Sequence, residues 1–248
     1  MMTFELVAHH LPLLLIILGA YFIRGVTGFG SGLIAVPFLA FSHSLTFAVP
    51  LVMTLDFIAS FILGNVGGKK ANWGEIRLLL PFSVIGAMLG IFALLRFPSD
   101  PILFSLGLFV VYFGFRNIMG IQPEGNISRL WAVPAGLIGS SAGALFGTSA
   151  PPYIIYLTHR LEDKATVRAT FSCLYVIDGG FRLILMVAAG LLLNREVLIA
   201  LAIALIPMAI GLFVGNRVHV SISKETMLRL VGAILVGSGG SLMAKVVI

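Results

Sequence analysis

Arg24, Asp56, Asp178 and Arg182 all lie inside apolar runs. A charge within a bilayer is costly, so such residues mark a pathway or a bound group. Arginine offers a planar fork of N–H donors that matches the oxygens of a sulfonate, a sulfite or a carboxylate. Arg24 directly precedes G-V-T-G-F-G-S-G-L-I-A-V-P at 25–37. That position gives it a ligand or gating role; the plain alternative is a side chain snorkelling to an interface. Asp178 and Arg182 are four residues apart and share one helix face. They read either as an intrahelical ion pair or as a switch. In the switch, a bound anion takes Arg182 and leaves Asp178 to accept a proton. Asp56, in V-M-T-L-D-F-I-A-S, has no basic residue within a turn. A lone buried carboxylate tends to hold a proton, which makes Asp56 the first candidate for proton coupling. The alternative is a carboxyl bonded to a neighbouring helix end.

The backbone around Arg24 carries a second kind of chemistry. Four glycines, a proline and two hydroxyls interrupt the apolar run from Leu11 to Phe41. Glycine and proline both destabilise a helix interior. Inside lipid, unwound backbone survives only where protein or a water-filled cavity surrounds it. The interruption has a counterpart. Gly28, Gly32 and Pro37 follow G-x3-G-x4-P, and so do Gly143, Gly147 and Pro152. Hydroxyls recur as Thr27 and Ser31 in the first copy, Thr148 and Ser149 in the second. Paired interrupted segments in two halves point to a transporter site. Helices starting near Ser31 and Ser149 would aim amide donors and positive dipole ends at an anion. The candidate binding residues are therefore Arg24, Thr27, Gly28, Gly30, Ser31, Gly32, Gly147, Thr148, Ser149, Pro151 and Arg182. Asp56 and Asp178 are the proton-coupling candidates. Tyr153 and Tyr156 could add hydroxyls to the site, but read first as aromatic packing or interface anchors. His159 and Arg160 read as a solvated basic loop.

These residues need a membrane scaffold. The 248-residue chain is 59% hydrophobic and 10% charged. A soluble domain carries about 25% charged residues. The expectation is an all-α polytopic membrane protein. Its apolar runs fall into two groups of four, residues 1–120 and 130–248, around a polar linker at 121–129. Pro81, Gly86 and Gly90 in the third run match Pro207, Gly211 and Gly215 in the seventh. Both glycine pairs are small-xxx-small spacings, which read as helix packing. Asn65 reads as polar packing. Asn126-Ile-Ser128 is a formal glycosylation sequon, meaningful only in a secretory pathway. The net charge of +6 sits in short loops, so it reports membrane orientation and not nucleic-acid binding. With one cysteine, Cys173, the chain has no internal disulfide and no thiolate metal cluster. The N-terminus does not resemble a cleaved secretory signal.

Charge counting addresses orientation. If all eight runs cross fully, the loop-borne Lys and Arg divide seven against seven. If the first run of each half returns to its starting side, eleven stand together and Arg96, Arg195 and Lys245 remain opposite. The second arrangement fits the positive-inside rule. It makes the halves two inverted four-segment repeats with glycine-broken first segments, and it places both termini away from the cytoplasm. Two short full helices in place of each hairpin give the same parity.

G-V-T-G-F-G-S-G-L-I-A-V-P-F-L at 25–39 and G-A-L-F-G-T-S-A-P-P-Y-I-I-Y-L at 143–157 resemble the two signature regions of the sulfite exporter TauE/SafE family. The similarity extends over nearly the whole chain. It implies a multi-pass transporter of the bacterial inner membrane that exports sulfur-containing anions by alternating access: sulfite, sulfoacetate or other organosulfonates. Ala150 stands where the family pattern leads one to expect glycine before the prolines. The partners expected are a small anion and the lipid bilayer, with a homodimer as a candidate assembly. No nucleic acid, cofactor or metal is expected, and no enzyme activity.

Three other readings fit parts of the chain. Gly30-Ser-Gly32-Leu-Ile-Ala35 fits a dinucleotide fingerprint in letters but lies in a membrane run with no strand before it. An intramembrane serine protease would need a partner histidine on another span, and all five histidines lie in the N-terminal tail or loops. An anion channel with a glycine-rich half-helix filter stays open beside the transporter.

Overall fold

A computed structural model describes residues 2–28, 30–62, 70–120, 127–218 and 224–247. Asn65, Lys69 and the linker residues 121–126, with the sequon's Asn126, lie outside the described residues. The rest forms ten α-helices: α1 Met2–Thr27, α2 Ser31–Leu39, α3 Leu45–Ile62, α4 Trp73–Arg96, α5 Ser99–Met119, α6 Ala132–Phe146, α7 Ala150–Arg160, α8 Lys164–Ala188, α9 Arg195–Val218 and α10 Lys224–Val247.

Helix length sorts them. The apolar helices α4, α5, α8 and α9 are each long enough to cross a membrane. The nine residues of α2 and eleven of α7 rise only about 14 and 17 Å, against an apolar thickness of about 30 Å. Large apolar side chains such as Leu15, Phe92, Ile206 and Phe213 are more than half exposed on the outer faces. Lipid is the solvent that such a surface needs.

The helix ends follow from local chemistry. Asn72 caps α4 by accepting from the Glu75 amide at 3.2 Å. Asp163 caps α8 by accepting from the Ala165 and Thr166 amides. The Thr166 hydroxyl, with those amides, holds the Asp163 carboxyl below its ordinary pKa. Gly28, at φ 87°, ends α1, and Gly30, at φ 95°, precedes α2. Gly147, at φ 70°, ends α6. A side chain at any of these three positions would strain the left-handed backbone.

Three helix pairs pack most closely: α5 on α10, α4 on α6, and α1 on α9. Glycines set each approach. A Cβ at Gly90 would stand 2.8 Å from the Ser141 carbonyl of α6, and one at Gly211 would stand 2.9 Å from the Phe22 amide of α1. The small-xxx-small pairs at 86/90 and 211/215 thus serve packing, as their spacing suggested. Gly107 of α5 likewise lies against the Gly239 backbone of α10. Helices α3 and α8 pack on each other and on the short helices, α3 on α2 and α8 on α7. They carry the charged residues inward.

A candidate site of paired arginines at two helix breaks

Arg24 sits on the last turn of α1, just ahead of the first break. Its Nη1 lies 2.5 Å from Asp56 Oδ1 on α3. The same nitrogen donates to Ser31 Oγ at 3.2 Å. Nη2 donates to the Asp56 carbonyl at 3.1 Å and to Ser60 Oγ at 2.8 Å. The carboxylate is crowded with further donors. Tyr21 and Ser31 hydroxyls reach Oδ1 at 2.5 and 2.6 Å, and the Tyr175 hydroxyl reaches Oδ2 at 3.3 Å. This corrects the picture of Asp56 as a lone carboxylate. Its counter-charge comes from another helix, where sequence spacing could not show it.

The second cluster is built on α8. Arg182 Nη2 pairs with Asp178 Oδ2 at 3.0 Å, the i,i+4 pair that spacing indicated. It also donates to Ser149 Oγ, the residue ahead of α7, at 3.2 Å. Ser140 of α6 donates to Asp178 Oδ1 at 2.6 Å. Tyr153 is fully buried, its hydroxyl 3.2 Å from Asp178 Oδ2 and 2.8 Å from Ser83 Oγ. Its ring packs in the core, as expected, and its hydroxyl joins the Asp178 cluster; it is not an interface anchor. The Arg182 guanidinium lies directly against Gly143, leaving no room there for a side chain.

The two clusters meet. The Tyr175 ring lies 5.8 Å from the Arg24 guanidinium carbon and 5.7 Å from that of Arg182. Both distances are within cation–π range. The two breaks also touch: a Cβ on Gly32 would stand 2.9 Å from the Gly147 carbonyl carbon and 3.2 Å from Thr148 Cβ.

The pairing leaves donors over. Arg24 Nε, Arg182 Nε and Arg182 Nη1 are buried with no hydrogen-bond partner. An unmet buried donor costs about 1–3 kcal/mol, more when charged. The short helices add to this donor excess. Neither α2 nor α7 has a side-chain cap or an acidic residue in its first turn. Ser31, Thr148 and Ser149 are all buried there. Two of the first three residues of α7 are prolines, Pro151 and Pro152, which lack an N–H. So α2 presents amides, whereas the α7 side relies more on Arg182 and hydroxyls.

Gly28 and Gly30 form the first break, and Gly147 forms the second. The G-x3-G-x4-P match sets Gly28 over Gly143, but Gly143 is helical and the second break falls one turn later, at Gly147. Thr27 donates to the Ile23 carbonyl of its own helix at 2.8 Å.

Sequence reading missed Tyr21, Tyr175, Ser140 and Glu75. Tyr21 and Tyr175 each precede a charged site residue by three positions, a signal that was available. Glu75 is buried at the start of α4 and accepts from Tyr156 at 2.5 Å and from Arg160 at 3.1 and 3.3 Å. Arg160 therefore ends α7 half-buried in an ion pair with Glu75 and not in a solvated loop, and the Tyr156 hydroxyl donates to the same carboxylate.

An all-helical, multi-pass membrane protein with two buried arginines at touching helix breaks has the make-up of a transporter for a small anion. The chain belongs to the sulfite exporter TauE/SafE family, whose sequence model matches residues 13–242. It is 28% identical over 194 residues to a probable inner membrane transporter protein TsaS of Comamonas testosteroni, covering 77% of this chain and 81% of that one. No solved structure matches. Membership makes the chain a membrane transporter and not an enzyme.

Proposed function

We propose that the protein is a secondary transporter of the bacterial inner membrane that exports a small sulfur-containing oxyanion, sulfite or an organosulfonate such as sulfoacetate. The observation that carries this reading is the excess of buried donors: three guanidinium nitrogens without partners, beside the uncapped start of α2. A trigonal or tetrahedral oxyanion supplies several acceptors in a small volume and satisfies donors of this geometry. The site takes Arg24, Ser31 and Gly32 from one side, and Arg182, Thr148 and Ser149 from the other.

Each arginine already has a carboxylate, so the two clusters by themselves carry no large net charge. An arriving anion competes with Asp56 and Asp178 for the guanidiniums. A carboxylate released in this way gains a reason to take a proton. Proton coupling through Asp56, and through Asp178 as the second member, follows from that competition.

Alternating access is read onto two inverted repeats, α1–α5 and α6–α10, joined by the linker at 121–129. The helix contacts support this: exchanging the halves carries α1 on α9 into α6 on α4, and leaves α5 on α10 unchanged. The loop charges support the inversion.

Purified protein in liposomes tests the reading. Preloaded unlabelled sulfite or sulfoacetate should drive saturable counterflow of the labelled anion, with carboxylates of similar size competing weakly. Unsaturable flux without counterflow would make the protein a channel. Failure of both sulfur anions with brisk carboxylate exchange would overturn the substrate class.

A further inference from the structure

We propose that Arg168 captures the anion at the mouth of the first break and passes it to Arg24; this rests on the transport reading above. Arg168 lies on the second turn of α8 and is exposed. A Cβ built on Gly28 would stand 3.6 Å from its Nη2 and 4.0 Å from its guanidinium carbon. So the guanidinium lies over the bare backbone of the break. One further glycine along, at Gly30, no described atom beyond its chain neighbours comes within 4 Å of a Cβ position. The next residue is Ser31, whose hydroxyl joins Arg24 to Asp56. An exposed guanidinium, a glycine with open space at its Cβ position and the buried arginine pair thus follow one another along the break.

Two charges just ahead of it in the chain are already engaged. Arg160 is held by Glu75. Asp163, which caps the same helix, has both oxygens taken by Ala165 and Thr166. No described residue accepts a hydrogen bond from the Arg168 guanidinium or forms an ion pair with it. An arginine fork in this state holds an oxyanion weakly, because water screens it, and draws anions towards the opening. Weak binding suits a hand-over site, since a tight outer site would retain its load. The oxygens it holds could belong to a soluble anion or to a lipid phosphate, and the test separates the two.

The experiment uses full-length protein in liposomes, with labelled sulfite and, in parallel, labelled sulfoacetate as probes. Half-saturation is measured from each side of the membrane at low and at high salt. Arg168→Gln should raise half-saturation about three- to tenfold from the side to which the 160–168 region opens, more at low salt. From the opposite side it should change neither half-saturation nor maximal rate. Arg168→Lys keeps the charge without the fork and should fall between. If Arg168→Gln is not monodisperse, Arg168→Lys carries the test. Unchanged values, or equal changes on both sides, overturn the proposal. An effect that follows the anionic lipid content and not the probe assigns Arg168 to lipid and overturns it too. Arg24→Ala is the control for the parent reading. If Arg24→Ala abolishes counterflow while Arg168→Gln is silent, only the capture role falls. If the wild type exchanges neither probe, both readings fall.

Discussion

Arg24 and Asp56 stand 32 residues apart in the chain, on different helices, and their side chains meet at 2.5 Å. Both are almost fully buried. Removing one partner of a buried pair costs about 3–5 kcal/mol, because the other is left charged and alone. Asp56→Ala should therefore lower the thermal midpoint in detergent sharply. Arg24→Met with Asp56→Leu should recover much of that loss while remaining inactive. A double variant as unstable as the single one would mean that the pair does not act as a unit. The readout is a thermal shift on monodisperse protein.

Asp56→Asn removes the carboxylate but keeps a hydrogen-bonding partner for Tyr21 and Ser31. It should bind substrate and lose the response of transport to pH. An unchanged pH profile in proteoliposomes would make Asp56 purely structural.

The contact between the breaks gives a steric prediction. A side chain on Gly32 strikes the Gly147 carbonyl, so Gly32→Val should part the two half-sites. Gly147→Val should fail as well, from strain at φ 70° and a clash with Val36. Gly237 on α10 has open space around it, and Gly237→Ala should be neutral. Calorimetry on purified variants measures this. Wild-type affinity in both valine variants would remove the site from the breaks.

Tyr175 joins the two arginines through its ring and Asp56 through its hydroxyl. Tyr175→Phe should keep affinity within a few-fold and alter the pH dependence of transport. Tyr175→Leu should lose the two cation–π contacts, each worth about 0.5–2 kcal/mol, and weaken binding in proportion. Equal affinities for the phenylalanine and leucine variants would show that the ring does not position the guanidiniums.

Arg24→Lys keeps the charge of Arg24 but not its fork. It should weaken binding less than Arg24→Ala, where a lost charge-assisted contact costs about 1.5–3 kcal/mol. That corresponds to roughly ten- to hundredfold in affinity. Competition binding with sulfite orders the three proteins, and a lysine variant as weak as the alanine variant would make the fork essential.

Topology has its own test. Reporters active only in the cytoplasm should be silent at both termini and active within residues 121–129. A signal from the C-terminus would refute the hairpin count.

The sequence by itself determined the membrane class, the two glycine interruptions, and the position of Arg24, Asp56, Asp178 and Arg182 within apolar runs, because a bilayer leaves few ways to house such runs; that Arg24 is buried and does not snorkel was decided by the tertiary structure. It also determined the Asp178–Arg182 pair and the two glycine packing pairs, since helix geometry alone sets neighbours three and four residues apart. Tertiary structure decided the rest. Whether Asp56 is alone or paired depends on where α1 lies against α3, and no local pattern encodes that distance. The same holds for Tyr175, which precedes Asp178 by three residues yet donates to Asp56, and for Glu75, whose partners come from the far end of α7. The exact break is tertiary too. Gly143 and Gly147 carry equal letters, but the Arg182 guanidinium packs on Gly143 within the helix, and the left-handed turn falls at Gly147, against Gly32.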